Sequence, residues 1–82
     1  MSNSVTLTAY LRSGCSLCEA MVYELTPLQQ RYGFRIEAVD IDASPELVTR
    51  YGERVPVLAG PDGELCHYFL DADVLHRYFS AR

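Results

Sequence analysis

The sequence predicts an α/β domain built on a mixed four-stranded sheet flanked by helices, in the order β-α-β-α-β-β-α. Three observations carry this. Short runs rich in β-branched and aromatic residues alternate with stretches whose apolar residues recur every three or four positions. The first two such runs are separated by a helical segment long enough for a right-handed crossover, which makes their strands parallel. The last two are separated only by Gly60-Pro61-Asp62-Gly63, a tight turn that makes their strands antiparallel.

The first strand is residues 5–11, Val5-Thr6-Leu7-Thr8-Ala9-Tyr10-Leu11. Arg12-Ser13-Gly14 turns it into a helix over about residues 15–31, with Ser13 or Gly14 near the cap. Leu17, Met21, Leu25, Leu28 and Tyr32 give that helix one apolar face. Pro27 removes a backbone donor and crowds the carbonyl of Tyr23, so a kink or restart is expected there, with Thr26 as the new cap. Gly33 ends the helix.

Residues 34–41 alternate apolar and polar side chains, then become more apolar, as a buried strand would. Ser44-Pro45-Glu46 starts a short helix with a capping hydroxyl, a proline at the first helical position and an acid in the first turn; Gly52 stops it. Val55-Pro56-Val57-Leu58 is the third strand and residues 65–69 the fourth. Asp71 caps a last helix carrying Val74, Leu75, Tyr78 and Phe79.

With 82 residues, the chain is expected to form one domain spanning 1–82. Hydrophobic residues make up 49% of it and charged residues 22%, the balance of a globular protein. A net charge of −4 argues against a nucleic-acid partner, whose phosphates need a basic surface. Met1-Ser2-Asn3-Ser4 lacks the basic start of a secretory signal, and no stretch has the length of a membrane span. The odd cysteine count speaks against a secreted disulfide framework. The expectation is a monomer in the reducing cytoplasm, with no membrane association.

In that compartment a close cysteine pair points to redox chemistry or metal binding before structure. Cys15-Ser16-Leu17-Cys18 stands between the first strand and the first helix. A thiol at a helix start faces unpaired N–H groups and the positive end of the helix dipole. Both favour the thiolate, which is the nucleophile. A second thiol three residues on lies about one turn away, within reach for a disulfide.

These residues, from Leu11-Arg12-Ser13-Gly14-Cys15-Ser16-Leu17-Cys18 to Val55-Pro56 before the third strand, resemble the thioredoxin fold and, within it, a small bacterial group of glutaredoxin-like proteins. The resemblance covers essentially the whole chain. It implies thiol–disulfide oxidoreductase activity, with Cys15 as the exposed nucleophile and Cys18 as the buried resolving thiol. It also implies a cis Pro56 against the cysteine pair, with the Val55 backbone pairing with substrate. Arg12, Ser16 and Leu17 complete the implied substrate surface, Arg12 matching a basic position near a glutathione carboxylate. No tightly bound cofactor is implied. The implied partners are a disulfide-containing protein or a glutathione mixed disulfide, and a reductant, either glutathione or a reductase.

The chain also departs from that group. Ser16-Leu17 replaces Pro-Tyr, Arg54-Val55 replaces Thr-Val, and no Gly-Gly followed by an acid comes after the fourth strand. The segment that would hold the γ-glutamyl end of glutathione is therefore not recognisable.

Other readings of the same residues stand beside this one. Zinc takes four ligands, and the remaining soft side chains are Cys66, His67 and His76; adjacent Cys66 and His67 point to opposite faces of a strand. A cluster shared between two chains is a further alternative, as is a redox sensor without turnover. Cys66 is read as a small buried apolar side chain, and His67 and His76 as surface or satisfied groups. Glu37, Asp40 and Asp42 read as a solvated strand face and end, and Tyr10, Tyr51, Tyr68 and Tyr78 as core and rim.

Overall fold

Leu7 and Ala9 are fully buried and Val5 nearly so, which makes the first strand the spine of the molecule. In the computed structural model, which describes residues 5–81, this strand is β1 (Thr6–Leu11). It is followed by α1 (Ser16–Tyr32), β2 (Arg35–Asp40), α2 (Pro45–Tyr51), β3 (Val57–Gly60), β4 (Gly63–His67) and α3 (Ala72–Ser80). The reading of the first four residues as lacking a leader lies outside the described residues. The sheet order is β2-β1-β3-β4, with β1 parallel to β2 and antiparallel to β3, and β3 antiparallel to β4. The topology is that of the thioredoxin-like α/β sheet the sequence predicts.

Successive strand residues face opposite sides, and each side has its own core. On one side Leu7, Ala9 and Leu58 pack with Met21 and Leu25 of α1 and with Leu75 and Phe79 of α3. On the other, Val57 packs with Ile41 and Tyr51, with Tyr10 against them. Burying a side chain the size of Leu25 contributes about 1.5–3 kcal/mol. The stack Tyr32–Phe79–Phe34, with ring centroids 5.0 and 5.2 Å apart, closes the first core at the far end of the helices.

Several local expectations are overturned. The cap of α1 is Cys15, the residue after Gly14, and its sulfur accepts the Cys18 N–H. Gly14 instead supplies a left-handed turn at φ 72°, a conformation that suits glycine. α1 does not restart at Pro27, which lies inside one continuous helix, and Thr26 is no cap, because its hydroxyl donates back to the Val22 carbonyl at 3.3 Å. Pro27 is tolerated because Tyr23, whose carbonyl loses its donor, lies on the solvent side with its side chain 82% exposed.

β2 is not a buried strand. It occupies a sheet edge and is mostly exposed. A short 3-10 turn at Ile41–Ala43, absent from the sequence reading, follows it and sends Ile41 into the second core. Ser44 precedes α2 without a side-chain cap bond, leaving Pro45 as the working start signal. β3 begins two residues late, at Val57, since Pro56 has no N–H for the ladder. β4 begins at Gly63 and ends at His67, where Tyr68 turns to φ 65°.

Candidate active site around Cys15 and Cys18

β1 delivers the chain to the top of the sheet, Gly14 reverses it, and Cys15 sits at the boundary of α1. Its φ and ψ of −100° and 106° are extended, while its carbonyl already accepts the first helical N–H, from Glu19 at 3.2 Å. Cys15 and Cys18 form a disulfide with Cα atoms 5.2 Å apart. Cys18 is 3% exposed, whereas Cys15 is only half-buried. The Cys18 N–H donates to the Cys15 sulfur at 3.1 Å. The more accessible sulfur is thus the one held by a backbone donor at a helix start, where negative charge on sulfur is favoured.

The other sequence-identified residues surround this pair unequally. Ser16 is exposed and Leu17 half-buried, both in the first turn of α1. Pro56 is fully buried, and the Val55–Pro56 peptide is cis. Tyr10 lies opposite Val57 in the antiparallel ladder. Pro56 and Val55 therefore continue past the sheet alongside Leu11 and Arg12, which lead into the cysteine turn. Among the described residues, neither the N–H nor the carbonyl of Val55 enters a backbone hydrogen bond.

Arg12 is not an open anion contact. Its Nη2 lies 2.7 Å from Asp42 Oδ1 and its Nε 3.3 Å from Oδ2, while Nη1 reaches the Gly52 carbonyl at 3.5 Å. Asp42 is held below the usual carboxylate range chiefly by the Arg12 hydrogen bond, and Arg12 is raised by the same contact. Asp42 is therefore a partner and not merely a solvated strand end. Its signal is the parallel register: Leu11 pairs with Asp40, which brings the end of β2 beside Arg12.

Two further residues escaped the sequence reading. Tyr68 donates its N–H to the Pro56 carbonyl at 2.9 Å and its hydroxyl to the Glu53 carbonyl at 2.7 Å, holding the loop before β3 from both ends. Glu64 binds both Arg54 and His67, and its carboxyl is lowered first by the Arg54 hydrogen bond. Glu64 and His67 are neighbours along β4, but only the β3–β4 turn brings Arg54 to Glu64 and Glu53 to Tyr68, so linear spacing does not reveal those contacts.

Cys66 is half-buried on β4, beside an open depression of about 640 Å³ that runs to the start of α3. Burial pushes its thiol up, opposite to what a nucleophile needs. His76 is engaged with Tyr32, its Nδ1 lying 2.9 Å from the hydroxyl oxygen. Among the described residues no group of three or more His, Cys, Asp and Glu side chains is placed to hold a metal, and no helix is long and apolar enough to cross a membrane.

Comparison with known proteins bears on this arrangement. Residues 6–80 match the family model described as Glutaredoxin-like domain (DUF836). The solution structure of protein Ne2328 from Nitrosomonas europaea is 42% identical, with a TM-score of 0.84, covering 95% of this chain and 94% of that one. A structural-genomics target protein from X. campestris is 40% identical, with a TM-score of 0.72, over 93% of this chain and 97% of its own. Oxidised mitochondrial thioredoxin 3 from Saccharomyces cerevisiae shares the fold at a TM-score of 0.66 and 22% identity, over 98% of this chain and 80% of its own. No curated protein matches.

Proposed function

The chain belongs to the glutaredoxin-like domain family, and from that membership together with the site geometry we propose that it is a thiol–disulfide oxidoreductase. The observation that carries the proposal is the asymmetry of the pair: Cys15 half-buried at the start of α1 and bonded by the Cys18 N–H, Cys18 buried beneath it.

In the reduced protein the Cys15 thiolate attacks one sulfur of a substrate disulfide. A new Cys15–substrate S–S bond forms, and the substrate's other sulfur leaves as a thiolate. Cys18, once deprotonated, then attacks Cys15 and expels the second substrate thiolate, leaving the Cys15–Cys18 disulfide. Two electrons pass from the protein dithiol to the substrate. A reductant, glutathione or a reductase, returns them.

The approach path is the free backbone of Val55, whose peptide groups have no partner among the described residues. An extended substrate segment satisfies them by pairing as an added strand. Pro56, lacking an N–H, ends the sheet ladder there. Ser16, exposed, and Leu17, half-buried, follow Cys15 in the first turn of α1 and complete the proposed substrate surface.

The test is reduction of a mixed disulfide or of insulin by the reduced protein. Activity is expected in wild type and absent in Cys15→Ser. Full activity in Cys15→Ser would sink the proposal.

A further inference from the structure

We propose that the site selects its disulfide substrate by charge, taking neutral or cationic polypeptide disulfides in preference to anionic ones such as oxidised glutathione. This rests on the thiol–disulfide reading above and adds the substrate class to it.

The chain contains no lysine; its seven basic residues are all arginines. Two of them border the reactive elements, Arg12 three residues before Cys15 and Arg54 directly before Val55-Pro56. Each is paired within the chain, Arg12 with Asp42 and Arg54 with Glu64. Arg12 is held by two of its nitrogens on one carboxylate and directs a third at the Gly52 carbonyl. A substrate carboxylate would have to displace an intramolecular one to reach either guanidinium, and the displaced carboxylate would remain nearby as a like charge.

Among the described residues, most of the other bases lie away from the cysteine turn. Arg31 and Arg77 lie in the last turns of α1 and α3, and Arg35 opens β2, at the opposite end of the parallel strands from Cys15. Arg50, like Arg54, lies 5.6 Å from the centroid of the Tyr51 ring, on the sheet face that α2 covers, across the sheet from the groove beside the disulfide. The acids do the reverse. Glu19 lines, together with Leu11, Arg12, Cys18 and Val22, an open groove of about 500 Å³ beside the disulfide. Among the described residues Glu19 forms no ion pair.

The groove thus offers apolar wall from Leu11 and Val22 and one carboxylate, in the first turn of α1, that no side-chain cation pairs among the described residues. An apolar side chain next to a basic one suits it; a tripeptide with two carboxylates and one ammonium does not. Like-signed charge at a reactive site slows encounter, and opposite charge speeds it, in a salt-dependent way.

The experiment uses the reduced full chain and three small disulfides: cystamine (cationic), bis(2-hydroxyethyl) disulfide (neutral) and oxidised glutathione (anionic). Each rate is divided by the rate of the same disulfide with a small neutral thiol, which removes intrinsic reactivity. The expected order is cationic, neutral, anionic, with roughly a tenfold span at low salt that narrows near 1 M salt, where the screening length falls to about 3 Å. Asp42→Asn and Glu64→Gln, which release the arginines, are each expected to raise the relative rate with oxidised glutathione by about threefold or more. Glutathione disulfide reacting as fast as cystamine after normalisation, in wild type, would overturn the selectivity while leaving the oxidoreductase reading intact. Failure to react with all three would overturn both.

Discussion

The backbone N–H of Cys18 points at the sulfur of Cys15 from 3.1 Å away. Cys18 therefore contacts the more exposed sulfur through its main chain while its own side chain is buried. Cys15 is itself the helix cap, so the group that ends the turn is also the one the proposed mechanism makes the nucleophile.

This arrangement gives the two thiols different fates. In Cys18→Ser the first exchange step still proceeds, and a mixed disulfide between Cys15 and the substrate accumulates, visible by mass spectrometry. In Cys15→Ser exchange falls by roughly a thousandfold or more, because a hydroxyl is not ionised at neutral pH. Equal trapping by both variants would contradict the assigned roles.

The reduced protein is expected to be alkylated first at Cys15. Its rate-against-pH midpoint should fall below the free-thiol value of about 8.5, given the helix start and the Cys18 N–H. Cys66, pushed the other way by burial, reacts last. Peptide mapping after brief iodoacetamide treatment at neutral pH distinguishes the two. Cys66 labelled ahead of Cys15 would remove the basis for an activated nucleophile.

Pro27 interrupts the hydrogen bonding of α1 on its solvent side. Pro27→Ala restores a donor for the Tyr23 carbonyl without touching the core, and is expected to stabilise the protein by about 1–3 kcal/mol. Urea unfolding reads the change. A loss of stability would mean that Pro27 fixes something the continuous helix does not account for.

The Arg12–Asp42 pair has a definite pH signature. Asp42 lies below its usual value of 3.8 in the folded chain, mainly through the Arg12 hydrogen bond. A depressed folded-state value means the pair's contribution is present above that pH and is lost as pH falls through the lower folded one. Both side chains are about 40% exposed, so the effect on stability is small. Acid titration of the Asp42 carboxyl by NMR is expected to show a midpoint under 3.8 that returns toward it in Arg12→Ala. An unchanged midpoint in that variant would exclude the ion pair in solution.

Much of the architecture was legible in the chain because the signals are local. A β-branched run before Cys15, an apolar face at helical spacing after it, and a Gly-Pro-Asp-Gly turn each constrain a few neighbouring residues. Asp71 capping α3, with its Oδ1 accepting the N–H groups of Asp73 and Val74, is of the same kind. The errors also have local causes. A restart at Thr26 and Pro27 follows from a rule about one residue that ignores which side of the helix carries the lost bond. Residues 34–41 looked buried because apolar content does not tell a central strand from an edge.

The sequence by itself determined the element order, the family resemblance and the position of the two cysteines at a strand-to-helix turn, since all depend on residues close along the chain. Only the tertiary structure decided what surrounds that turn. Arg12 meets Asp42 across 30 positions, Arg54 meets Glu64 across the β3–β4 turn, and Tyr68 bonds the residues before β3. Those contacts follow from strand order and register, and it is they that set whether a guanidinium near the cysteine turn is unpaired or already holds a carboxylate of its own chain.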